Sequence, residues 1–223
     1  QRPADGSGFT VSLVPRLMVA EAVTARMLPN SIAYVKLFTF TANAANQVFA
    51  ALKGPAMSAA PRGIVLDLRG NPGGEEAQAV RLVSAFVHHR IVGYQVGGNG
   101  QRDALHTDDT VALLHAPLVV LTDGGSASSS ELVASAVRDL RLGRVVGSRT
   151  AAEIAGAYFY SLSDGSALEI TQFHIFGANG EKLDRIGVTP GQQVAATAAD
   201  LSAGDDPVID RAVQDIEHAT GQG

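Results

Sequence analysis

Four serines crowd into Ser126-Ala-Ser-Ser-Ser130. The chain has no cysteine, so no thiol nucleophile competes with them. A serine becomes a nucleophile when a base takes its proton and preorganised N–H donors hold the oxyanion it creates. A second stretch, Arg69-Gly-Asn-Pro-Gly-Gly74, offers such donors, since glycine lets backbone N–H groups face a substrate carbonyl. Two donors are needed: one from Gly73 or Gly74, the other from Ser129, directly after Ser128. The same residues have a plainer reading. Ser128-Ser-Ser-Glu131 has the spacing of a helix capping box, and the glycines suit a tight turn.

Both stretches sit where a strand hands over to a helix. Pro117-Leu-Val-Val-Leu-Thr122 is an apolar run of strand length, Asp123-Gly-Gly125 turns the chain, and Leu132, Val133, Ala136, Val137 and Leu140 recur at helical spacing. Gly63–Leu68 followed by Glu75–Val87 repeats this strand, turn, helix order. Two such units side by side predict parallel strands with crossover helices, their turns at one end of the sheet. Around them the sequence predicts strands over Phe9–Leu13, Ile32–Phe40, Ile91–Val96 and Val145–Gly147. Helices are expected over Asn43–Leu52 and Asp206–Ile216. Ala157–Leu162 and Ala167–Phe173 flank Ser163-Asp-Gly-Ser166, a hairpin signal. Arg16–Leu28 is apolar and reads as either strand or helix. The expected fold class is α/β, a core of βα units with an attached antiparallel hairpin region.

Composition narrows the function. With 223 residues, 46% of them hydrophobic, the chain supports one substantial core. A formal net charge of -5 argues against a nucleic-acid partner. No apolar run reaches membrane-spanning length. The glycine-rich turn lacks the Gly-Lys-Ser/Thr of a phosphate loop. His88-His89 has no third ligand at matching spacing, so no metal is expected, and no organic cofactor is implied. Asp67 and Arg69 are expected to pair with each other or with a neighbour, and Asp108-Asp109 and Asp205-Asp206 to serve turns or caps. The sequence leaves the oligomeric state open.

Five stretches together resemble the carboxyl-terminal processing (tail-specific) serine peptidases. They are Ile64–Gly74, Pro117–Glu131, Val145–Thr150, Leu162–Leu168 and Gly187-Val-Thr-Pro190, in matching order and spacing over roughly residues 31–192. The resemblance implies a core of the Clp-protease and crotonase type. It also implies Ser128 as nucleophile, an oxyanion hole from Ser129 and the Gly73/Gly74 turn, a polypeptide substrate and an extracytoplasmic home. Such peptidases usually carry a small PDZ domain. Residues 1–30 are accordingly expected to be an N-terminal stub, the remnant of a preceding domain, with the peptidase-like core over 31–223.

The chain departs from the family at its base. The family lysine falls on Glu153, and the glutamine four residues on falls on Ala157. A buried neutral lysine can accept a serine proton near neutral pH, whereas a carboxylate with a reference pKa of about 4.3 is a far weaker base. Candidate replacements are Glu153 itself, His174 with Asp184, and Lys182. The alternatives to a peptidase are a peptide-binding module that does not cut, and a crotonase-like acyl-CoA enzyme using Glu131 or Glu153 as acid and base.

Overall fold

Two uninterrupted apolar runs, Gly63–Asp67 and Leu118–Thr122, lie side by side in the middle of the molecule, every residue of both buried. Such runs suit parallel strands covered on both faces. The structure is a computed structural model that describes Thr10, Ser12, residues 22–54, residue 57 and residues 60–221. In chain order the elements are β1 (Val23–Leu28), β2 (Ile32–Leu37), α1 (Ala44–Ala51), β3 (Gly63–Asp67), α2 (Glu76–Ser84), β4 (Ile91–Gly97), β5 (Arg102–His106), β6 (Leu118–Thr122), α3 (Ser129–Asp139), β7 (Arg144–Gly147), β8 (Ala155–Ser161), β9 (Ala167–Gly177), β10 (Gln192–Gln193), α4 (Ala198–Ala203) and α5 (Pro207–Ala219).

One sheet has the order β1-β2-β3-β6-β7-β10, the other β5-β4-β9-β8. In the first, β2, β3, β6, β7 and β10 run parallel and β1 joins antiparallel. Alternate residues of its strands feed two cores, as the period of a strand requires. Val35, Leu66 and Val120 pack with the residues of α1, α2 and α3, while Tyr34, Val65, Val119 and Leu121 pack against Val208, Ala212 and Ile216 of α5. The expected α/β core with an antiparallel attachment is thus what the chain adopts.

Three differences from the sequence reading have physical causes. Val23–Leu28, assigned above to an N-terminal stub, pairs with β2 along its whole length, so the core sheet starts before residue 31. The hairpin is wider than expected: β9 continues to Gly177 because its second half pairs with β4. β5, the half-exposed run Arg-Asp-Ala-Leu-His, carries no hydrophobic alternation and gave no signal, yet it pairs with β4. The strand expected over Phe9–Leu13 lies outside the described residues except for Thr10 and Ser12. Among the described residues, no helix is long and apolar enough to cross a membrane.

Candidate active site

β3 and β6 are adjacent and parallel, so the corners that follow them leave the sheet at the same end. They are in direct contact. A Cβ on Gly125 would stand 3.0 Å from Gly70 Cα, and one on Gly73 would stand 2.6 Å from Ser128 Cβ and 2.9 Å from the Ser129 nitrogen. Only a residue without a side chain permits that approach, and Gly73 also has φ of 99°.

Hydrogen bonds sew the corners together, and they sort the four serines. Ser126 donates from Oγ to the Leu68 carbonyl at 2.8 Å, Ser129 to Gly74 at 2.8 Å, and Ser130 to Asn71 at 3.0 Å. Ser128 is the member of the cluster whose hydroxyl is not spent on the opposite corner. Asn71, wholly buried, is the other half of the seam. Its Nδ2 donates to Leu37 O at 2.9 Å, its Oδ1 accepts from the Gly73 N–H at 2.8 Å, and its carbonyl accepts from Ala127 N–H at 3.0 Å. The Gly73 N–H is therefore occupied, and Gly73 serves close approach rather than donation. The N–H groups of Gly74 and Ser129 have no acceptor among the described residues.

Ser128 caps α3 with φ 53° and ψ −118°, a conformation that costs a non-glycine residue about 1–3 kcal/mol. Ser128 is partly exposed, whereas Ser126, Ser129 and Ser130 are buried. Ser128, Ser129 and Gly74 all line one cleft of about 570 Å³, together with Phe40, Leu132, Ile154, Phe173 and Ile175. The juxtaposition expected from the sequence, with a serine hydroxyl and two main-chain amides on a shared cavity, is present.

The Glu131 carboxylate supplies its half of a capping box by accepting the Ser128 N–H, and it does more. It is fully buried, and its two oxygens accept from four donors. Oε1 takes the Thr150 hydroxyl at 2.5 Å and the Ala152 N–H at 2.9 Å; Oε2 takes the Glu153 N–H at 2.9 Å and the Ser128 N–H at 3.2 Å. Burial pushes its carboxyl above the ordinary range, against the downward pull of those bonds. A carboxylate so committed cannot reach a substrate, which removes Glu131 as the acid or base of an acyl-CoA enzyme. Thr150 completes the clamp by accepting the Val188 N–H at 2.7 Å, so the segments around Thr150 and Gly187-Val-Thr-Pro190 meet there.

Asp67 and Arg69 pair as expected: Arg69 Nη2 donates to Oδ2 at 2.7 Å, and Arg69 Nε and its main-chain N–H donate to Oδ1 at 3.0 and 2.9 Å. The Tyr34 hydroxyl donates to Oδ2 at 2.6 Å. Burial alone would raise the Asp67 carboxyl, but the Arg69 guanidinium, the Tyr34 hydroxyl and Lys36 hold it below the usual range. Arg69 also forks onto Asp206, the N-cap of α5, at 3.0 and 2.8 Å. This network ties the far-side helix to the residue that opens the glycine corner.

The sequence-predicted bases fare differently. The Glu153 carbonyl accepts the Ser128 N–H at 2.9 Å, so its main chain touches Ser128, while its side chain is exposed. His174 is not brought to Ser128. It sits on β9 between Phe173 and Ile175, which line the cleft, and strand alternation turns it to the other face. There its Nδ1 lies 3.2 Å from Asp184 Oδ2. Lys182 is exposed and does not line the cleft, whereas Ala157 does. His88 bonds the Val111 carbonyl and His89 pairs with Asp109, so neither faces the cleft. Sequence reasoning passed over Asn71 and Thr150. The available signal was their place inside the two quoted stretches, a polar residue between glycines and a threonine after a strand.

The comparisons with known proteins agree with this geometry. The family model described as peptidase family S41 matches residues 31–194. A carboxy-terminal-processing protease of Bartonella bacilliformis is 31% identical over 186 residues, 81% of this chain and 42% of its own. Carboxyl-terminal-processing peptidase 2, chloroplastic, of Arabidopsis thaliana is 34% identical over 163 residues, 71% of this chain and 31% of its own. The solved photosystem II D1 C-terminal processing protease superposes with a TM-score of 0.68 at 29% identity, over 80% of this chain and 49% of that one. The chain thus spans less than half the length of each of these three proteins. Because the family match runs through both corners, the Thr150 clamp and the Gly187–Pro190 segment, this chain belongs to peptidase family S41.

Proposed function

We propose that this chain is the core of a serine peptidase that hydrolyses peptide bonds in protein C-termini or unfolded chains, outside the cytoplasm. One observation carries the reading. Of four clustered serines, the one left unspent sits strained at a helix start, in a cleft shared with two unclaimed N–H groups. In this mechanism Ser128 Oγ attacks the scissile carbonyl carbon. The N–H groups of Gly74 and Ser129 hold the oxyanion, and collapse of the intermediate expels the amine to leave an acyl-Ser128 that water then hydrolyses. A base on the open side takes the Ser128 proton and passes it to the leaving amine, then takes a proton from the attacking water and returns it to Ser128 Oγ. Of the candidate bases Glu153, His174 and Lys182, Glu153 is the one whose main-chain carbonyl bonds the Ser128 N–H, and the role is assigned to its exposed carboxylate. With a reference pKa of about 4.3 it is a weak acceptor, so turnover is expected to be slow.

A second reading, a peptide-binding module that does not cut, has one observation in its favour: no lysine or histidine is among the described residues lining the cleft. A fluorophosphonate probe separates the two. Labelling of the unaltered chain but not of Ser128→Ala, with cleavage of unfolded casein, supports the peptidase. Equal labelling of both chains overturns it.

A further inference from the structure

The cleft has a lopsided lining. Its floor is apolar: Leu132 and Ile154 are 1% exposed, Ile175 is 4% exposed, and Phe173 packs beside them. Its polar side chains with charge are all of one sign. Glu75, Glu76 and Glu169 line it, and no Lys, Arg or His does among the described residues. None of the three carboxylates has a salt-bridge partner among the described residues, although Arg69, Arg81, Arg138 and Arg144 elsewhere are all paired. One of them is held in place: Gln95 Nε2 donates to Glu76 Oε1 at 2.7 Å, which orients the carboxylate and leaves its second oxygen free. Burial pushes the Glu76 carboxyl above its ordinary range, a cost that a cation in the cleft would relieve.

We infer that the cleft selects polypeptides by a long cationic side chain, lysine or arginine, whose methylene stem lies on the Leu132–Ile154–Phe173–Ile175 floor and whose charged head meets Glu75, Glu76 and Glu169. This rests on the reading of the cleft as a peptide site, which stands on Ser128 and the free amides, not on the carboxylates. The chemistry is that of an amphipathic side chain burying its stem and keeping its head at a polar rim. An acidic side chain in the same place meets three like charges, and a purely apolar one leaves them unanswered. Partly exposed charge pairs act modestly one by one, so a combined preference of about tenfold for lysine over an uncharged side chain of equal length is expected.

The test measures binding, so it does not require hydrolysis. Short fluorescein-labelled alanine-rich peptides carry one variable residue, lysine, norleucine or glutamate, moved along the length, and are titrated by anisotropy against the Ser128→Ala chain. At some position lysine should bind about tenfold tighter than norleucine, with glutamate weakest. That preference should shrink as salt rises from about 0.05 M to about 0.5 M, as screening requires. Glu75→Gln combined with Glu169→Gln should bring lysine to within about threefold of norleucine, and the salt series gives the same information without those substitutions. Equal affinities, tightest binding of the glutamate peptide, or no binding of the lysine peptide at about 1 mM, the weak end of useful affinity, overturns the inference. Cleavage by the unaltered chain is followed in parallel. Selective binding without cleavage keeps this inference and removes the peptidase; cleavage without selectivity does the reverse.

Discussion

Replacing Glu131 by glutamine changes one oxygen into an NH2 group at a site where every neighbour is a donor. If the NH2 takes the place of Oε2, it confronts the Glu153 N–H; the Ser128 N–H keeps the Glu153 carbonyl as acceptor. If it takes the place of Oε1, it confronts the Ala152 N–H and deprives the Thr150 hydroxyl. Either way one main-chain N–H beside a buried group is stranded, at about 1–3 kcal/mol. Taking about 2 kcal/mol and a urea slope of about 3 kcal/mol/M, the midpoint should fall by about 0.7 M. Glu131→Ala strands the Thr150, Ala152 and Glu153 donors together and leaves a cavity, so about 4 kcal/mol or more is expected, a large share of a typical total of about 5–15 kcal/mol. Urea denaturation followed by circular dichroism gives the energies, and amide exchange at Ala152 and Glu153 gives the location. A glutamine variant with an unchanged midpoint and full protection at both amides would refute the clamp.

Three further outcomes follow from the same geometry. Ser128→Gly relieves the strain at φ 53° and ψ −118°, a gain of about 1–3 kcal/mol set against a glycine entropy cost of about 0.5–1 kcal/mol. It should therefore melt higher than Ser128→Ala while both lose labelling by the probe; a lower melting temperature for the glycine variant contradicts the strain. Glu153→Lys restores the residue type that the family uses, and general-base catalysis typically supplies about 10²–10⁴-fold, so casein hydrolysis should rise at least tenfold; no rise in turnover above pH 7 counts against the assignment of that position. Asp67 is held below its unfolded pKa of about 3.9. Its contribution is present above that pH and disappears as pH falls through the lower folded value, so the unaltered chain should lose stability steeply below about pH 4, and Asp67→Asn should show a flatter acid limb. Parallel acid limbs in urea midpoints measured from pH 7 down to about pH 2.5 would remove Asp67 from the account.

Much of this molecule was legible before any coordinates. Apolar runs such as Ile64–Leu66 and Leu118–Leu121 announce buried parallel strands because their periodicity is local, and a turn followed by helical spacing announces the crossover. Topology then obliges the two corners to share one end of the sheet, so a candidate site at Ser128 and the glycines was readable without side-chain positions. Tertiary structure alone decided what those residues are free to do. Three serines are spent on carbonyls that lie 55 to 59 residues away in the chain, and the Gly73 N–H is spent on Asn71. His174 faces away from the cleft because of the pleat and register of β9, and Glu131 faces four donors gathered from separate segments. Local pattern reports which groups a residue carries; only the packed chain determines which hydrogen-bonding groups have already found partners and which remain open to a ligand.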